Sequence, residues 1–250
     1  MRKLAILFGL AAAMAAHGQV YELKKSVDIP LVLGGAAFDL YNFSQVSNKD
    51  ATSIEKLNSL RTSDINWFDR WAVHPYSHSI DKLSYVPFYV AIPLPLVVFG
   101  IDDRMRKDFG KLTFIYGEAM ILTGVLYSSA VHWVSRLRPL TYESSSPLDE
   151  RQNSNSRNSF FAGHVALVGT STFLIAQTWA DYHPESHAKW AFFTGAGVLT
   201  GLTAYWRNRA GEHFPTDIAL GTVIGVGSGM LTPILHRSKA FKTKKVNVLP

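Results

Sequence analysis

Five long apolar stretches constrain this chain more than anything else in it. They cover residues 84–101, 112–134, 160–180, 190–206 and 218–235. Each has roughly the twenty residues a helix needs to cross the hydrocarbon layer of a bilayer. Their Gly, Pro, Ser and Thr are tolerated in membrane helices and used there for close packing. Gly221, Gly225 and Gly229 recur every four residues, the spacing of a tight helix–helix contact. Glu118 lies inside the second stretch and is expected to face protein, not lipid. The expected fold class is therefore all-α, a multi-span helical bundle of five to six membrane helices. The alternative is a water-soluble helical protein with helices apolar all round inside a large core. Mean hydropathy is only +0.06, an average over apolar spans and polar connections.

Residues 1–19 read as a secretory signal, with an uncleaved anchor as the alternative. Arg2 and Lys3 precede a 13-residue apolar run over 4–16, and Ala16 and Gly18 give a small-residue cleavage site before Gln19. Residues 20–83 form an N-terminal extracytoplasmic or interfacial segment. Its apolar run at 30–38 has nine residues, too few to cross. Trp67, Phe68 and Trp71 suit either a membrane surface or a core. The helical domain covers 84–236 and a basic tail covers 237–250. The formal charge is +6, but removing the tail cations Arg237, Lys239, Lys242, Lys244 and Lys245 leaves +1. The basicity is thus a local orienting signal and implies no nucleic-acid partner. Tail and loop cations (Arg104, Arg106, Lys107, Lys111) read as cytoplasmic, which puts 135–159 and 207–217 outside. There is no cysteine, hence no disulfide and no thiolate chemistry.

Three clusters of chemically useful residues lie at the outward ends of these spans. Arg136 and Arg138-Pro139 follow the second span, and guanidinium suits phosphate oxygens. Gly163-His164 opens the third, where free N–H groups and the helix dipole favour an anion. Between the last two spans lie Arg207, Arg209, His213 and Asp217. If Pro215 starts a helix, Asp217 sits in its first turn. A carboxylate beside an imidazole fixes its tautomer and favours attack by the opposite nitrogen. Residues 140–159, with six Ser and three Asn, read as a disordered connector or as a mobile lid.

In order, these residues read Arg-Pro at 138, Gly-His at 163, Arg at 207, His at 213 and Asp at 217. The pattern resembles the type 2 phosphatidic acid phosphatase superfamily, which includes bacterial acid phosphatases and vanadium haloperoxidases. That family carries Lys-x6-Arg-Pro, then Pro-Ser-Gly-His, then Ser-Arg-x5-His-x3-Asp. The spacing from Arg207 to His213 to Asp217 matches, and the resemblance covers about residues 84–236. This chain has Val131 at the Lys position, Phe161-Ala162 for Pro-Ser, and Trp206 before the arginine. Arg136, Arg209 or His132 are candidates to compensate.

The resemblance implies a helical bundle of the phosphatase and haloperoxidase kind, and an enzyme. It assigns catalysis to His213, His164 and Asp217: nucleophile, general acid–base and tautomer-fixing partner. It assigns phosphate binding to Arg138, Arg207 and Gly163. It implies no cofactor and no metal. The expected protein is a membrane phosphatase of the bacterial inner membrane, acting on a lipid phosphate from the periplasmic side. The alternatives are a soluble periplasmic acid phosphatase, a catalytically impaired lipid-phosphate binder, and a metal-dependent hydrolase using His164, His213 and Asp217 as ligands.

Overall fold

A computed structural model describes residues 20–246. The expected leader at 1–19 lies outside them. In chain order the helices are α1 (Lys25–Ser47), α2 (Ile54–Ser59), α3 (His78–Ala91), α4 (Leu94–Ile101), α5 (Phe109–Trp133), α6 (Leu148–Gln152), α7 (Gly163–Tyr182), α8 (Ala188–Arg209), α9 (Pro215–Leu235) and α10 (Lys239–Val246). Among the described residues the extended pairings are two isolated bridges, Tyr21 with Arg237 and Arg136 with Asn158. The fold is an all-α bundle, as the apolar stretches imply.

All five stretches become helical, with one interruption. Residues 84–101 fall on α3 and α4, which meet at Ile92-Pro93. Proline has no N–H to give and cannot continue the helical ladder. At this junction the Ile92 carbonyl accepts a bond from Tyr116 Oη at 2.8 Å. Among the described residues, three segments are long and apolar enough to cross a membrane: His78–Ile101, Met105–Trp133 and Pro215–Leu235. The helix α7 is of spanning length but more polar, because it is the bundle's central element. Thr170, Ser171, Thr172, Gln177 and Thr178 are buried on it. Thr170 pairs with Thr123 at 2.8 Å and Ser171 with Tyr116 at 2.7 Å. Hydroxyls paired between helices in this way help to join membrane helices.

The Gly221–Gly225–Gly229 row packs α9 on α7, as its spacing predicts. A Cβ at Gly221 would lie 2.6 Å from the Ala162 carbonyl oxygen, and one at Gly229 2.6 Å from that of Thr170. These neighbours are backbone and cannot swing aside, so the close approach requires glycine.

The apolar run at 30–38 belongs to a longer helix, which is not among the described segments long and apolar enough to cross a membrane. That run is the middle of α1, a helix of 23 residues, about 34 Å long at ~1.5 Å per residue. Counting apolar residues misses it because Asp28, Asp39 and Asn42 interrupt the pattern. These polar groups turn toward α5 and the end of α9. Asp28 lies 3.5 Å from His236, and Asn42 donates to Ser128 and Ser129 at 3.3 and 3.1 Å. Glu118 faces protein as expected, 3.2 Å from the same His236. The outer face of α1 exposes Val27, Leu31, Leu33 and Leu40, the last at 73%. Comparable exposed apolar side chains recur on α3, α5, α8 and α9. Lipid covers such a belt far better than water does.

The bundle has two ends. At one, Arg237 grips Asp181 with two bonds of 2.8 and 2.7 Å. Tyr21 also donates to Asp181, and Arg104 to the Tyr182 carbonyl. The start of α1 belongs to this end, where Glu22 N–H donates to the His236 carbonyl. The three motif clusters meet at the other end. Trp67 and Trp71 are 81% and 65% exposed, so they are surface aromatics and not core. Residues 140–159 are no structureless connector. They hold α6 and short 3-10 turns, tied down by Arg138 N–H to Ser156 O, Ser159 N–H to Arg136 O, and Thr52 N–H to Gln152 O.

Candidate active site

His213 lies between α8 and α9 and is 1% exposed. Its Nδ1 is 2.7 Å from the Ser159 carbonyl oxygen. A carbonyl only accepts, so Nδ1 carries the proton and Nε2 keeps its lone pair. Burial, with the positive charges of Arg207 and Arg138 nearby, pushes the His213 pKa well below the ordinary value. The ring is neutral at neutral pH, as a nucleophile requires.

Asp217 departs from its expected contact. Pro215 starts α9, as anticipated, and puts Asp217 at the third helical position, where its carboxylate folds back to cap the helix. It accepts from Phe214 N–H at 2.9 Å, from Ser159 Oγ at 2.6 Å, and from Arg136. No hydrogen bond joins it to the His213 ring. It holds Ser159, and Ser159 holds His213.

Arg138 and Arg207 converge as the motif implies. Arg207 is 1% exposed and donates to Asp81 at 2.5 Å and to Ser84 at 3.1 Å. Its other terminal nitrogen donates to Glu212 Oε2 at 2.5 Å, and Arg138 donates to the same oxygen. Arg138 also reaches Asn155 at 3.2 Å. The Nε–H groups of both arginines are buried with no partner. Orphaned charged donors inside a protein are costly and call for an anion. His164, in the first turn of α7, packs edge-on to Tyr85 and Phe88 with centroids 4.8 and 5.1 Å away. A Cβ at Gly163 would strike the Tyr127 ring at 2.6 Å, so this position needs glycine.

The three residues suggested as compensating, Arg136, Arg209 and His132, each meet other partners in the structure. Arg136 is clamped between Asp69, at 2.7 Å, and Asp217, over the Phe214 ring. Burial pushes Asp69 up, but hydrogen bonds from Thr216, Asn66 and Arg136 outweigh it and hold its carboxyl below the usual range. Arg209 is exposed and lies 3.3 Å from His74, and His132 pairs with Asn42 at 2.9 Å. At the place of the missing motif lysine, Val131 is buried, and Lys49, just past α1, donates to its carbonyl and to Asn158. The sequence reading missed Lys49, Asp69, Asp81, Ser159 and Glu212. Ser159 and Glu212 adjoin motif residues; the others carry no local signal.

The metal-ligand reading of His164, His213 and Asp217 is weakened by the same geometry, since Asp217 is committed to Ser159, Phe214 and Arg136. Among the described residues, the carboxylate and imidazole atoms that do cluster are those of Asp28, Glu118 and His236 at the far end.

The sequence profile of the PAP2 superfamily matches residues 112–240, more than half of the chain. The chain belongs to the PAP2 superfamily. Membership makes it a phosphatase-type hydrolase, and the profile covers every motif residue named above. Among solved structures, this PAP2 protein is similar to the first transmembrane PAP2-type phosphatidylglycerolphosphate phosphatase, from Bacillus subtilis. Identity is 20% and the TM-score 0.46, over 86% of this chain and 97% of that one. Comparison with curated protein sequences gives no match.

Proposed function

We propose that this PAP2 protein hydrolyses the phosphate monoester or diphosphate of a lipid through a phosphohistidine on His213. One observation carries the reading. Two buried arginines with unpartnered Nε–H groups flank a neutral histidine whose Nε2 is free. Nε2 attacks phosphorus, the N–P bond forms, and the P–O bond to the lipid breaks. His164 gives the leaving oxygen a proton, then takes one from the water that cleaves the N–P bond. Arg138, Arg207 and the Gly163 N–H hold the phosphate oxygens and take up charge in the transition state. Their positive charge does what a metal does in other phosphatases, so turnover is expected to survive EDTA.

The exposed apolar belt and the surface tryptophans at the site end favour a lipid over a soluble ester. The test is phosphate release in EDTA from phosphatidate, phosphatidylglycerol phosphate, a polyprenyl diphosphate and lipid A phosphate. Release from at least one supports the reading. Release only from a water-soluble aryl phosphate would favour the acid-phosphatase alternative.

We place the site on the periplasmic face of a bacterial inner membrane. The support is the loop and tail cations at the opposite end. The start of α1 shares that end. The absence of cysteine allows a clean check. Ser145→Cys, at the site end, is expected to react with an impermeant thiol reagent in intact spheroplasts. Asp103→Cys, at the other end, is expected to react only after permeabilisation. The reverse pattern, together with a mature chain starting at Gln19, would turn the protein over.

A further inference from the structure

The anion site between Arg138 and Arg207 is already filled by the protein itself. Glu212 is 4% exposed, and one of its carboxylate oxygens accepts from both guanidinium groups. Asp81 neutralises Arg207 from the other side. Two cations thus face two carboxylates, and a phosphate entering beside Glu212 would bring like charge against it. The loop backbone at Glu212 is fixed, with Glu212 N–H on the Arg207 carbonyl and Gly211 O on Leu140 N–H. Only the Glu212 side chain is left to move.

We propose that Glu212 is a resident competing anion, displaced by the substrate phosphate, whose role is to keep the phosphodiesters of the bilayer out of the site. The inference rests on the reading of Arg138 and Arg207 as phosphate-holding residues. A tethered carboxylate competes at a high effective concentration and weakens every anion by the same factor. A phosphate monoester or diphosphate carries about two negative charges or more and several free oxygens. These can take the orphaned Nε–H groups as well as the bonds Glu212 gives up, so it still binds. A phosphodiester offers a single charge, the same as Glu212, and two free oxygens. Its dissociation constant then rises above the concentration at which a bilayer presents it. Without Glu212, the surrounding phospholipid headgroups would occupy the arginines.

The test uses the full chain in detergent and measures binding directly, so that it does not depend on turnover. Inorganic phosphate and dimethyl phosphate are titrated into the wild type and Glu212→Gln. The variant is expected to bind both about tenfold more tightly, the factor expected for removing one charged competitor. In vesicles of phosphatidylglycerol its turnover is expected to be inhibited where the wild type is not. Weaker binding of both anions by Glu212→Gln would make Glu212 a strut for the arginines and overturn the proposal. Unchanged binding would overturn it equally. Glu212→Asp keeps the charge but is too short to span both arginines. It is expected to show a smaller gain, and it stands in if the glutamine variant does not fold. A wild type that binds neither anion would sink the phosphate-site reading itself, which is a separate failure.

Discussion

His213→Ala is expected to lower kcat by about four orders of magnitude or more, the scale on which a nucleophile's removal acts. The bundle should remain folded, because the ring gives up a single hydrogen bond, to the Ser159 carbonyl. The effect should fall on kcat and leave phosphate binding in place, since Arg138 and Arg207 are untouched. Acid quench of the wild type with labelled substrate should trap phosphate on the protein, and the variant should trap none. Trapping on the variant would move the nucleophile elsewhere. The depressed pKa of His213 sharpens the expectation. A ring that stays neutral below its usual titration range needs no separate base to deprotonate it before attack. Residual turnover in His213→Ala above the solution rate would then measure what the arginines contribute by holding the phosphate.

The apolar stretches and the Gly221 row made the bundle legible from sequence, because lipid-facing and close-packed surfaces leave compositional traces. Spacing alone brought Arg138, Arg207, His213 and Asp217 to one end. What stayed hidden has physical causes. In sequence, α1 reads as a shorter run because Asp28 and Asn42 look like breaks in an apolar pattern; only the partners His236 and Ser128 explain them. Asp81 reaches Arg207 across 126 residues, and no local pattern announces such a contact. Arg136 looked like a spare phosphate ligand because sequence shows its charge. Its partners, Asp69 and Asp217, lie 67 and 81 residues away. A guanidinium's function is set by whichever carboxylate meets it, and that is decided in three dimensions.

The link between Asp217 and His213 is where sequence reading and geometry part most sharply, and it yields the second large effect. Asp217→Ala is expected to destabilise the protein by about 3–5 kcal/mol, because it strips Arg136 of one of its two buried partners. It also strands the Phe214 N–H and the Ser159 hydroxyl. Thermal unfolding in detergent measures this. Asp217→Asn is milder in packing and serves for catalysis, where kcat is expected to fall with little change in KM. Ser159→Ala removes the hydroxyl that Asp217 holds but leaves the carbonyl that fixes the His213 tautomer, so its own loss should be smaller. The decisive comparison is the double variant. If Asp217 acts through Ser159, removing the hydroxyl in the Asp217→Asn background adds almost nothing, a non-additivity characteristic of groups in series. If Asp217 instead acts directly on His213 during turnover, the two losses multiply. The first outcome makes Ser159 the positioning residue of the site; the second returns that role to the carboxylate.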